Sequence, residues 1–322
     1  MTTQSSPRAR WRPAARAAVA ATALLALTAC GGGSDPLSDD KNDDASGGSS
    51  DTVTVGSADF PESQVVAELY AGVLRDAGVT VETKPGIGAR EAYVGAVKDG
   101  SVDVVPDYSG NLLLFADKNA TAASAGDIMK ALPEKLKSQD LSVLDASKAE
   151  DKDALVVTQA TADKYHLKSI ADLSSVCGEL VMAGPPEFQE RAYGTEGLKK
   201  RYDCSFKSFQ PINDGGGPLT VQALTKGDAQ VADIFTTTPA IQDQKLVVLE
   251  DPKDNFIAQQ VLPLTAPDRL PQKAVDALNE FSGKLTTQDL IDLNRKVSGD
   301  EQQNPADAAK QWLKDHGYDH AS

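Results

Sequence analysis

Residues 96–109, AVKDGSVDVVPDYS, and residues 223–236, ALTKGDAQVADIFT, can be laid on one another without a gap. Each reads as the end of a helix, a glycine (Gly100, Gly227), a short apolar strand, and an aromatic followed by a hydroxyl. The last pair is Tyr108-Ser109 in one copy and Phe235-Thr236 in the other. Glycine closes helices because it takes the left-handed backbone conformation without steric cost. In open α/β sheets ligands gather at the carboxyl ends of strands. Generic βα grammar can produce so short a match. Read as a duplication, it describes two half-molecules presenting similar side chains at two strand ends. The first strand is expected to stop at the corner Pro106-Asp107-Tyr108-Ser109-Gly110, where the ring is either packing or a binding surface.

Outward from these units the chain alternates strands and helices. TVTVG (52–56) is a strand, and Pro61 opens a helix with an apolar face at Val65, Val66, Leu69, Val73 and Leu74 that Gly78 ends. VTVETK is the next strand, GIG a turn, REAYVGAVKDG a helix, and further helices cover Leu112–Phe115 and AGDIMKALPEKLKSQ. DALVVTQ, GELVMAG, SFKSF, AQVADIF and KLVVLE read as strands with helices between, and the last fifty or so residues as helices. Strands separated by helices imply a largely parallel sheet and an α/β fold. The body of about 270 residues after Asp51 can bury a substantial core and is long enough for two lobes.

The N-terminus has a different character. Arg8, Arg10, Arg12 and Arg16 precede the apolar run AAVAATALLAL (17–27), too short to span a bilayer as a stable helix. Leu27-Thr28-Ala29-Cys30 then resembles a bacterial lipobox, so residues 1–29 read as a signal peptide and Cys30 as a lipidated N-terminus. An ordinary secretory signal with an incidental cysteine is the alternative. Residues 30–51 carry almost no apolar side chains and read as a disordered tether. The expected location is the outer face of the cytoplasmic membrane. Of three cysteines, lipidation of Cys30 leaves Cys177 and Cys204, an even pair in an oxidising setting, expected as a disulfide; two buried thiols are the alternative. Net charge is −15, and loss of the four leader arginines takes it to about −19. Nucleic acid and anionic lipid headgroups are poor partners for such a surface, whereas a cationic or zwitterionic small molecule is not.

No catalytic constellation emerges. The histidines are His166, His316 and His320, and neither G-x-S-x-G nor H-E-x-x-H occurs. GIGARE (86–91) lacks the third glycine of a dinucleotide fingerprint, GTEGLKK is too short for a P-loop, and DDKNDD lacks calcium-loop spacing. No cofactor and no metal site are expected. An exported α/β hydrolase would need a nucleophile–base pair that so few histidines argue against.

Three segments carry a resemblance: G-S-x-x-F-x-E at Gly56–Glu62, P-D-Y-S-G at Pro106–Gly110, and P-E-F-x-E-R at Pro186–Arg191. With the surrounding sequence from Thr52 to the C-terminus, they resemble osmoprotectant-binding proteins of ABC importers, the receptors for glycine betaine, carnitine and choline. The resemblance implies a type II periplasmic-binding fold of two α/β lobes joined by two crossover strands. Lobe 1 is expected from residues 52–150 plus 238–322 and lobe 2 from 151–237. It implies a monomeric, non-enzymatic receptor that captures a quaternary-ammonium solute and delivers it to a membrane permease. A trimethylammonium donates no hydrogen bond and is held by ring faces, while a carboxylate takes a guanidinium or backbone N–H groups. Tyr108 matches a cage tyrosine of the family, Arg191 its carboxylate-binding arginine, and Phe235 lies where a second ring is expected. The candidate ligand set is Ser57, Phe60, Tyr108, Ser109, Asp145, Arg191, Phe235, Thr236 and Thr237.

The chain departs from the family where Ala58 replaces a common lysine, where DASKAEDKDAL carries Asp145, Asp151 and Asp153 but no ring, and where Gln259-Gln260 replaces a Tyr-Tyr pair. A four-ring cage then needs Phe60, Phe188 or Tyr193 as substitutes, or the ligand is another small polar molecule. NDGGGPLT (213–220) is either a source of backbone donors or a plain loop.

Overall fold

The computed structural model describes residues 52–299 and 301–320, so the signal, Cys30 and tether readings lie outside the described residues. The first half supplies β1 (Thr52–Gly56), α1 (Pro61–Asp76), β2 (Thr80–Lys84), α2 (Arg90–Asp99), β3 (Val104–Tyr108), α3 (Ser109–Ala116), α4 (Ala125–Lys137) and β4 (Ser142–Val143). Then come β5 (Asp153–Val157), α5 (Gln159–Tyr165), β6 (Val181–Gly184), α6 (Thr195–Tyr202), β7 (Ser208–Pro211), α7 (Pro218–Lys226), β8 (Val231–Phe235), α8 (Ala240–Asp243) and β9 (Val247–Val248). The chain ends with β10 (Val261–Thr265), α9 (Gln272–Lys284), α10 (Thr287–Ser298) and α11 (Pro305–Asp315).

Two five-stranded sheets form, ordered β2-β1-β3-β10-β4 and β7-β6-β8-β5-β9. They are mixed rather than largely parallel: β10 runs against β3 and β4, and β5 against β8 and β9. The reason is topological. β5 reaches the second sheet from the first, and β10 reaches the first from the second. A strand entering where the parallel strands end must run against them. The crossing segments pair with each other on the way, with Val261 N–H donating to Ala149 O, Ser147 N–H to Val261 O and Asp151 N–H to Gln259 O. Because β9 belongs to the second sheet, the return crossing follows it, and the lobe boundary at 237/238 expected from sequence is too early.

The internal duplication is structural. The strands β3 and β8 occupy the same place in their sheets and start and end 127 residues apart. Gly100 (φ 76°) and Gly227 (φ 81°) close α2 and α7 in the left-handed conformation, their N–H groups donating to Val97 O and Leu224 O. β3 does not stop at Pro106 but pairs through Tyr108, which lies opposite Val261. Pro106 faces Pro263 across this ladder, a rung that survives without N–H donors because neighbouring rungs hydrogen-bond. SFKSF was displaced too: the strand is Ser208–Pro211, since Lys207 N–H turns back to Cys177 O and Leu180 O.

Apolar clusters cover both faces of each sheet. In the first lobe α1 lies beneath the C-terminal helices, with Tyr70 edge-on to Phe281 at 5.7 Å and Phe281 edge-on to Trp312 at 5.8 Å. In the second, Cys177 and Cys204 are disulfide-bonded within the cluster around Leu155, Met182 and Phe188. Among the described residues no helix is long and apolar enough to cross a membrane.

The bridge closes a loop of 27 residues, so reduction should lower the unfolding free energy by roughly 3 kcal/mol, read from the denaturant midpoint. Non-reduced, denatured protein should show neither Cys177 nor Cys204 alkylated by intact mass. An unchanged midpoint on reduction, or both cysteines alkylated, would contradict the staple.

Candidate functional site

The carboxyl ends of the parallel strands converge with the crossing segments, and the site grows from there. In the first lobe Phe60 caps α1 in an extended conformation and Pro61 is pre-set for the first helical position, which leaves Glu62 in the first turn. Tyr108 ends β3 and caps α3. Its ring centroid is 6.1 Å from that of Phe60, with the planes tilted by 32°. Tyr108 is only 8% exposed and packs in the first-lobe core, whereas Phe60 is 40% exposed. Phe60 is therefore the accessible ring, and Tyr108 backs it.

Glu62 binds the region together. Its Oε1 accepts from the Tyr108 hydroxyl at 2.6 Å, and its Oε2 accepts from the Thr237 hydroxyl at 2.7 Å and Asn294 Nδ2 at 2.5 Å. The Thr237 N–H donates to Asp151 Oδ1 at 3.2 Å. Burial raises the Glu62 pKa despite these three donors, and burial together with the Glu62 charge holds Asp151 well above the usual carboxylate range. The Tyr108 phenol is raised by burial and by Glu62.

In the second lobe, Asp153 opens β5 and Asp233 lies in β8, both buried. Arg191, from the loop after β6, approaches Asp153 Oδ1 with Nη1 at 3.3 Å and lies 5.6 Å from the Tyr193 ring centroid. Tyr193 in turn meets Phe188 and Phe256 edge-on at 6.3 and 6.0 Å. Asp233 Oδ1 is buried without a hydrogen-bond partner. Burial, then the Asp153 charge, raises the Asp233 pKa well above its usual range. Asp153 is also raised by burial, with Arg191 opposing. A parallel pair occupies the first lobe, where Arg90 Nη2 donates to the buried Asp107 at 2.7 Å.

The expected site residues divide accordingly. Phe60, Tyr108 and Thr237 meet around Glu62, and Phe235 is the register partner of Asp153, the carboxylate that Arg191 approaches. Ser57, Ser109 and Thr236 are engaged in bracing. Ser57 Oγ accepts from Gly86 N–H and donates to Ala58 O. Ser109 Oγ accepts from Gln260 N–H, and Thr236 Oγ1 from Lys152 N–H. Asp145 is not gathered with the others: it stands exposed after β4, its N–H donating to Asn279 in α9. Gln259 and Gln260 take no ring's place; they accept from Asn111 N–H and donate to Ser147 O. Asp214 caps α7, accepting from the N–H groups of Leu219 and Thr220, so these donors of NDGGGPLT are already used. Gly216 (φ 77°) is required there, since a Cβ would lie 3.0 Å from the β8 backbone.

Glu62, Asp153 and Asp233 were missing from the sequence-derived set. The signal for the aspartates was an acid inside an apolar strand, DALVV and VADIF, and Glu62 is the last residue of the G-S-x-x-F-x-E segment. Among the described residues no cluster of three or more His, Cys, Asp or Glu side chains could hold a metal ion.

The sequence matches the family described as the substrate binding domain of ABC-type glycine betaine transport systems over residues 51–315. A carnitine transport binding protein of Listeria monocytogenes is 27% identical over 283 residues, 84% of this chain and 89% of the relative. A glycine-betaine-binding protein of Pseudomonas aeruginosa is 26% identical over 281 residues, 83% and 88% of the two chains. A crystal structure of a glycine betaine/carnitine/choline ABC transporter superposes with a TM-score of 0.75 at 25% identity, over 83% of this chain and 99% of the other.

A buried acid with a raised pKa binds its proton more tightly in the native state than in the unfolded chain. Above the ordinary value of 4.5 for Glu62, the native state therefore holds more protons, and stability falls as pH rises to the native value. Asp172, held low by the Lys168 and Ser169 N–H groups, loses its contribution only below 3.8, outside this window. The ligand-free protein is expected to melt at a higher temperature near pH 5 than near pH 8. Glu62→Gln should reduce that slope, leaving the share of Asp151, Asp153 and Asp233, and at neutral pH should change stability by about 1–3 kcal/mol through its altered hydrogen bonds. A Gln variant with the wild-type slope would remove Glu62 as a cause.

Proposed function

The chain belongs to the family of substrate-binding domains of ABC-type glycine betaine transport systems, and from that premise we propose that it is an exported receptor for a small quaternary-ammonium solute. It holds the solute between its lobes and delivers it to a membrane permease. The observation that carries this reading is the exposed Phe60 ring beside Tyr108 at a convergence rich in carboxyl groups. A cation without hydrogen-bond donors gains about 0.5–2 kcal/mol from such a ring face, more as water is excluded. Carboxyl groups around it supply the long-range attraction. Phe235 and Tyr193 are the second-lobe rings best situated to close on the same cation.

The reading extends to the N-terminus. Cys30 carries lipid after cleavage at Ala29, and residues 31–51 form the polar tether. Several acyl chains on one cysteine anchor stably where one would not. The receptor works as a monomer, without cofactor and without catalysis.

Titration of the purified protein with glycine betaine, carnitine and choline tests the central claim. Phe60→Ala should weaken the bound solute about five- to thirty-fold, or about 1–2 kcal/mol, with little change in melting temperature because the ring is largely outside the core. Intact affinity with a lowered melting temperature would make Phe60 a packing residue. In cells, a clickable fatty acid should label the wild type and not Cys30→Ala. Equal labelling would reject the anchor.

A further inference from the structure

In a site that holds a zwitterion, the solute's carboxylate needs a guanidinium or backbone N–H groups left open to it, and a guanidinium gives the stronger, bidentate hold. Here both arginines at the strand ends already have a carboxylate from the chain itself. Arg90 donates to Asp107 through Nε at 3.2 Å and Nη2 at 2.7 Å. Arg191 has Asp153 at 3.3 Å, with Asp233 next in line behind it. Asp153 and Asp233 are 5% and 2% exposed, Arg191 is 35% exposed, and Asp233 Oδ1 has no partner. The guanidinium is thus outnumbered by buried carboxyl groups. Glu62 and Asp151 extend the same acidic character towards the Phe60 and Tyr108 rings.

We propose that Asp153 is a specificity-determining residue. By occupying Arg191 from within, it makes the site select a solute of net positive charge with no carboxylate, such as a quaternary-ammonium alcohol, over a zwitterionic betaine. The inference rests on the receptor reading above and narrows its ligand class. A betaine carboxylate reaching Arg191 would compete with Asp153 for the guanidinium and weaken the compensation of that buried acid, which is costly. It would also add a like charge beside Asp233. A cationic alcohol meets neither penalty. Discrimination built from a repulsive element is a common route to specificity. The same arrangement pushes Asp233 up through burial and the Asp153 charge, whereas Arg191 opposes the rise that burial imposes on Asp153.

The test measures the affinity ratio of choline to glycine betaine by calorimetry in wild type, Asp153→Asn and Arg191→Gln. Wild type should prefer choline by at least about tenfold. Asp153→Asn, which frees Arg191, should shrink or reverse that ratio by about tenfold or more, through a gain for betaine. Arg191→Gln should leave the preference for choline in place. A ratio between two ligands is insensitive to a general loss of structure. If Asp153→Asn fails to fold, the wild-type order and the Arg191→Gln result decide. A wild type that prefers betaine, an Asp153→Asn variant that folds and keeps the wild-type ratio, or an Arg191→Gln variant that loses the preference for choline overturns the proposal and leaves the receptor reading standing. If neither solute binds nor shifts the melting temperature of the wild type, both fall together.

Discussion

A single buried carboxylate organises the molecule. Glu62 lies in the first turn of α1 and accepts from Tyr108 at the end of β3, Thr237 just past β8, and Asn294 in α10. Each donor comes from a different stretch of chain, two from the first lobe and one from the far side of a crossing. Hydrogen bonds to an ionised acceptor are the stronger kind, and they offset part of the cost of burying the charge. The balance is incomplete, since burial still raises the group's pKa. An acid kept there against its own preference for water fixes how the strand ends meet, and the rings beside it inherit that geometry.

Much of this architecture is legible in the sequence. The helix closed by Gly100, the strand after it and the copy 127 residues later are local patterns, set by backbone freedom at glycine and by side-chain alternation, and they recur in the fold unchanged. The disulfide followed from counting cysteines once Cys30 had been set aside. What escaped was non-local. β10 is five residues with Pro263 at its centre, a pattern that argues against a central strand. It is a strand because β3 and β4 lie on either side of it. β9 is two residues long, so the second lobe's true extent left no trace in composition.

The same distinction runs through the site. Tyr108 was legible as a strand-end aromatic, but its burial was not, because that depends on pairing with Val261 and on Glu62 reaching its hydroxyl. Asp145 and Asp153 sit in one acidic stretch and look equivalent in sequence. Only Asp153 begins a strand that leads under Arg191, while Asp145 faces solvent. Polar residues that read as ligand contacts, Ser57 and Ser109 among them, also hold the loops in position. The overall charge of −15 therefore says less about the ligand than the placement of four carboxyl groups, Glu62, Asp151, Asp153 and Asp233.

The strand β10 carries a consequence for how the chain acquires its shape. The first sheet is laid down by residues 52–143, yet its fourth member in spatial order arrives only at residue 261. Until then the flank of β3 is an open row of backbone donors and acceptors, and a second chain could pair there as readily as the proper strand. Closing so distant a contact is slow because the intervening chain must first be brought round. The half of the protein made first is thus the half completed last, and the disulfide, which lies wholly in the other lobe, does nothing to shorten that wait.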